Sequence, residues 1–197
     1  MSDLLLLSGG VDSSAIAAWL RPSLCLTIDY GQLAAEAEIT SSAQICKELQ
    51  LPHLINKVDI SQFGSGDMAN REATIHSENS EFWPFRNQFL ITLGAMVAMQ
   101  HGSKRIMIGT VVTDLRHKDG TEEFLAAMNK LLMLQEGKLR LLAPAIQLTS
   151  IELIQKSKIS TGTLGWCHSC HASNFACGQC RGCFKHSEIM GTFGYSR

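Results

Sequence analysis

A chain of 197 residues can bury one proper core, alone or with a small appendage, and no repeat or low-complexity tract interrupts this one. Its 17 basic and 18 acidic residues nearly cancel, so it lacks the cationic surplus that binding a phosphate backbone leaves, and nucleic acid is disfavoured as a partner. No run of about 18 apolar residues marks a membrane span, and the opening has no basic stretch leading into an apolar one; a cytoplasmic protein with no membrane partner is expected.

Residues 4–7 are wholly apolar and end at a glycine pair, which predicts a strand buried on both faces and feeding a turn. A helix is expected over 13–20, a second strand over 24–28, a helix over 34–49 and a third strand over 53–58. This alternation implies an α/β fold, a doubly wound parallel sheet of the Rossmann type with helices on both faces. Residues 61–82 are polar and aperiodic, with Gly64 and Gly66, and predict a mobile loop near the site. Helices are expected over 87–100, 122–134 and 150–158, with strands over 105–108 and 140–142. From 161 the pattern stops and cysteines begin, so the chain divides into an α/β domain over 1–160 and a cysteine-rich segment over 161–197.

The turn after the first strand reads Ser8-Gly9-Gly10-Val11-Asp12-Ser13-Ser14. Two glycines let backbone N–H groups approach an anion, the Ser8, Ser13 and Ser14 hydroxyls can donate to it, and the following helix N-terminus favours negative charge. Asp12 is out of place beside phosphates unless Mg²⁺ bridges the two. A plain turn capped by serines has a similar composition, and the G-x-x-x-x-G-K-[ST] pattern is absent. The string resembles the signature of the N-type ATP pyrophosphatases, which implies an adenine nucleotide alpha hydrolase-like fold. It also implies a loop that holds the β- and γ-phosphates of ATP while a substrate oxygen attacks the α-phosphate.

Five of the seven cysteines crowd together, Cys167, Cys170, Cys177, Cys180 and Cys183, in the spacing C-x2-C-x6-C-x2-C-x2-C. In a chain with no targeting segment that density favours a metal over disulfides. Zinc suits paired C-x2-C groups, and an iron–sulfur cluster stays open because C-x2-C-x2-C also begins such a run. Residues 169–183 resemble the S-C-Y…C-G-x-C-x-x-C ending of the 7-cyano-7-deazaguanine synthase family. That resemblance implies a structural zinc on Cys170, Cys177, Cys180 and Cys183, with Cys167 replacing Cys170 as the alternative.

Other matches to that family fall in order along the chain: Leu26-Thr27-Ile28-Asp29-Tyr30-Gly31-Gln32; Pro84, Arg86 and Asn87; Ile108 and Gly109; Asp119, Glu123 and Phe124; and Pro144 within 142–148. The resemblance implies that Asp29 and Gly109 join residues 8–14 in binding ATP, and that Asp12, Ser13, Arg86 and Asp119 are catalytic. On residue chemistry alone Arg86 suits a carboxylate or phosphate, whereas Asp119 and Glu123 also suit an ordinary helix start. The chain departs from the pattern at Leu33 and Ala34, where the family has Arg-His, at Ser150, where it has Lys, and at Gly120.

What the resemblance implies is a carbon–nitrogen ligase. ATP and Mg²⁺ would adenylate the carboxylate of 7-carboxy-7-deazaguanine, ammonia would give the amide, and a second ATP would lead to the nitrile. One alternative is transfer of the activated carboxylate to an amine of a partner protein, as relatives in antiphage operons suggest. A further alternative is a tRNA-thiolating enzyme, against which the neutral charge argues. A homodimer is compatible with the sequence.

Overall fold

The computed structural model describes residues 2–195. Five strands, β1 (Asp3–Leu6), β2 (Leu24–Asp29), β3 (His53–Lys57), β4 (Arg105–Met107) and β5 (Arg140–Leu142), form one parallel sheet in the order β3-β2-β1-β4-β5. Helices α1 (Val11–Leu20), α2 (Ala35–Leu49), α3 (Arg86–Gln100), α4 (Glu122–Leu134) and α5 (Ser150–Ser157) connect and flank them.

Period-two alternation decides which residue faces which layer. Leu5, Leu7, Cys25 and Met107 point to one face, into a core shared with Ala15 and Ile16 of α1, Ile45 of α2 and Leu153 of α5. Leu4, Leu26, Ile106 and Leu141 point to the other, against Ile91 and Ala98 of α3 and Leu125 and Met128 of α4. A strand covered on both sides has no polar face, which is why residues 4–7 read as an unbroken apolar run, and why Thr27, buried within β2, spends its hydroxyl on the Leu7 carbonyl at 2.7 Å. The sheet is thus doubly wound, as the alternation of elements predicts.

Local chemistry sets several boundaries. Thr149 and Glu152 form a reciprocal capping box at the start of α5, and Thr121 accepts the Phe124 N–H at the start of α4. Helix α1 stops at Arg21, which turns left-handed at φ 47° and returns its N–H to the Ala17 carbonyl.

The segment after residue 160 also contains two helices, α6 (Thr161–Leu164) and α7 (Arg181–Thr192). No apolar period announces α7, because its buried stripe is Gly182, Cys183, His186, Ile189 and Met190, only two of which are ordinary hydrophobes. Leu164, Cys167, Ile189 and Met190 nevertheless enter the same core cluster as α1 and α5. The stretch 61–82 holds one short 3₁₀ turn, Ser61–Phe63, and carries the buried Met68 and Glu81.

Strand order reverses at β1. The chain runs outward from β1 to β2 and β3, then crosses back to β4 on the other side of β1 and ends at β5. In such sheets a crevice opens beyond the carboxyl ends of the two strands at the reversal. Here those ends lead into Ser8 and Gly109.

Candidate functional site

A cleft of about 320 Å³ occupies that crevice. Its floor is the turn after β1. Gly9 has φ +73°, and a Cβ there would lie 2.8 Å from the Glu38 carbonyl oxygen and from Ser41, so only glycine fits the turn. Gly10 is the N-cap of α1 and brings no side-chain cap, which leaves the first N–H groups of the helix aimed at the cleft. Ser13 Oγ lies 3.2 Å from Ser8 Oγ and accepts the Ser8 N–H at 3.3 Å, while Ser14 Oγ donates to the Gly10 carbonyl at 2.7 Å. The loop is thus held by its own hydroxyls, in a form that could receive an anion.

Asp12 sits in the first turn of α1 with its side chain 15% exposed. Its Oδ2 accepts from Lys185 Nζ at 2.8 Å, and its buried Oδ1 has no hydrogen-bond partner among the described residues. Asp114 Oδ1 lies 3.6 Å from the same ammonium. Burial opposes the Lys185 charge, but the two carboxylates outweigh it and hold the pKa above that of an ordinary lysine. An orphaned carboxylate oxygen with a second carboxylate nearby fits a divalent cation bound through one or two acidic groups, so Asp12 and Asp114 are the residues that would hold Mg²⁺.

Arg86, the first residue of α3, lies across the cleft beside Tyr30 and Glu38. Burial pushes the Glu38 carboxyl up to about 7, with the Gln32 amide, which donates to it at 2.9 Å, and Arg86 pulling the other way. Deeper along the wall, Glu81 faces His117 at 3.2 Å and Arg181 at 3.9 Å.

The structure brings Ser8, Gly10, Val11, Asp12, Ser13, Arg86 and Gly109 onto this one cleft. Among the described residues, four expected positions stand off its wall. Gly9 and Ser14 shape the loop from behind. Asp29 ties down the next turn, accepting the Gly31 N–H at 3.1 Å and pairing with Lys57 at 3.2 Å. Asp119 caps α3, accepting the Asn87 N–H at 3.3 Å, and so acts next to Arg86 rather than on the cleft itself.

The C-terminal segment supplies much of the remaining wall, including His168, Ser169, His171, Arg181 and Lys185. It is tied directly to the loop, since the His168 N–H donates to the Gly9 carbonyl at 3.0 Å. The ligand atoms of Cys170, Cys177, Cys180 and Cys183 all lie within 4.8 Å of one another, with 3.9 Å between Cys177 and Cys183 and between Cys170 and Cys180. Four thiolates about 2.3 Å from a tetrahedral zinc stand about 3.8 Å apart, so this set fits zinc. The N–H groups of His171, Cys180 and Cys183 each donate to a cluster sulfur at 3.4 Å, which favours thiolates; the N–H groups of Gln179 and Cys180 lower the Cys177 thiol to about 6. Cys167 is not in this set. It lies in the apolar core with Ile189 and Met190.

Sequence reasoning missed Glu38, Glu81, Asp114, His117, Arg181 and Lys185. Each is a single charged or polar residue with no spacing that sets it apart, and His186, equally unmarked in the sequence, also lines the cleft.

The sequence profile of the family described as "Queuosine biosynthesis protein QueC" matches residues 2–191. The chain is 31% identical to the 7-cyano-7-deazaguanine synthase of Nitrosomonas europaea, over 91% of this chain and 88% of that protein. It is 24% identical to the protein of that name from Methanosarcina barkeri, over 98% and 95%, and 25% identical to the one from Methanocaldococcus jannaschii, over 96% and 94%.

Proposed function

This chain belongs to the family of the queuosine biosynthesis protein QueC, and from that premise we propose that it activates the carboxylate of 7-carboxy-7-deazaguanine with ATP and carries it through the amide to the nitrile. The observation that carries this reading is the loop after β1, capped by the α1 N-terminus and opening onto the same cleft as Arg86.

The loop's N–H groups and the Ser8 and Ser13 hydroxyls hold the β- and γ-phosphates and take up the charge that develops as pyrophosphate leaves. Asp12 and Asp114 would hold Mg²⁺, which would supply positive charge to offset that of the phosphates. The guanidinium of Arg86 suits the substrate carboxylate and aligns one of its oxygens with the α-phosphorus, so positioning and electrostatics do most of the work. That oxygen forms a bond to phosphorus, the bond to pyrophosphate breaks, and an acyl adenylate results. Ammonia then displaces AMP, which departs with the former carboxylate oxygen. In the second round the amide oxygen attacks another α-phosphorus, and loss of AMP with the amide protons leaves the nitrile. Two ATP yield two AMP and two pyrophosphate.

Incubation with ATP, Mg²⁺ and 7-carboxy-7-deazaguanine, with and without ammonium, separates the steps by product mass. The expected result is AMP release that depends on the deazaguanine acid, with amide and nitrile appearing only when ammonium is present. Asp12→Ala is expected to lower AMP formation by about 100-fold or more. Normal AMP formation by that variant overturns the assignment.

A further inference from the structure

Lys185 follows Cys183 by two residues and lies in the first half of α7. Among the described residues, three lysines or arginines line the cleft: Arg86, Arg181 and Lys185. Arg86 stands beside Tyr30 and Glu38, and Arg181 lies nearest Glu81. Lys185 alone of the three is bound to the phosphate loop, 2.8 Å from Asp12, with Asp114 at 3.6 Å.

Two carboxylates share this one ammonium, at the mouth of a loop whose N–H groups and helix dipole are arranged for an anion. When a polyphosphate enters, a divalent cation at the carboxylates would take over the neutralising role of the lysine. The ammonium is then beside the incoming phosphates with its former partners occupied. Its side chain is 32% exposed on a flexible four-carbon stem, so it can turn without disturbing the core.

The base of that stem is firmly mounted. Cys180 is the N-cap of α7 and its sulfur accepts the Cys183 N–H, while Gly182 packs so closely that a Cβ there would lie 1.8 Å from the Ser169 carbonyl oxygen. The cysteine cluster therefore fixes the first turn of α7, and the next turn presents Lys185 to Asp12.

We propose that Lys185 is a phosphate-binding residue: it pairs with Asp12 and Asp114 in the nucleotide-free protein and turns onto the β- and γ-phosphates when ATP enters with its divalent cation. This rests on the ATP-dependent reading above and adds to it a cation delivered from the C-terminal segment.

Calorimetric titration of the zinc-loaded protein with α,β-methylene-ATP and, separately, with AMP tests the inference without any acceptor. Lys185→Met keeps the stem and removes the charge. It is expected to weaken the triphosphate analogue by about tenfold or more, the worth of a charge-assisted hydrogen bond, and to leave AMP within about twofold. Lys185→Arg is expected to restore most of the loss. Equal weakening of both ligands, which a merely structural role produces, overturns the proposal, as does unchanged binding of the analogue. A wild-type protein that shows this pattern yet makes no AMP from ATP with the deazaguanine acid leaves Lys185 assigned and overturns the substrate reading instead.

Discussion

Glu38 shows how a single buried group can leave a mark on the whole protein. Its carboxyl is pushed from 4.5 to about 7, chiefly by burial. Between those values the folded protein keeps a proton that the unfolded chain has already released. Stability therefore falls as pH rises through that window and levels off above it. Urea unfolding from about pH 4 to 8 should show this decline in the wild type, and Glu38→Gln should remove it. An identical pH slope in both proteins contradicts the assignment. Residues of this kind were invisible in the sequence, because Glu38, Glu81 and Lys185 are ordinary charged residues until folding brings them to one cleft. Asp12 and Ser13 stood out in the sequence for the opposite reason: the proposed phosphate loop is local, seven consecutive residues after the first strand, and both side chains line the cleft. Asp29 and Asp119 lie next to the cleft, where their carboxylates accept N–H groups of a turn and of the start of α3.

Among the elements, one with a clear period was read to the residue: α4, where Leu125, Met128 and Leu132 recur at helical spacing on its buried face. Helix α7 was not, because its inner face consists of glycine, cysteine and histidine residues that serve the cluster and the cleft rather than a hydrophobic core. Two of the four cysteines that could hold a metal, Cys180 and Cys183, stand at the start of α7. One zinc per chain is expected, held in Cys167→Ser and lost in Cys180→Ser. Elemental analysis and thermal unfolding of the two variants check this. Retention of zinc by Cys180→Ser, or its loss from Cys167→Ser, contradicts the ligand set.

Taken as a whole, the molecule puts its chemistry where sheet topology leaves room. The doubly wound fold followed from alternation of elements, but the location of the crevice required the strand order, which no local pattern encodes. The segment after residue 160 looked like an appendage in sequence, yet it lines the cleft, hydrogen-bonds the loop and adds to the core. No helix among the described residues is long and apolar enough to cross a membrane. In the proposed reaction a substrate carboxylate attacks the α-phosphorus of ATP on this loop. Supplying 7-carboxy-7-deazaguanine labelled with ¹⁸O in its carboxylate, together with ATP, Mg²⁺ and ammonium, tests it directly by mass spectrometry of the AMP. Carboxylate attack predicts AMP that carries one ¹⁸O from the acid in the first round, whereas AMP free of the label contradicts it.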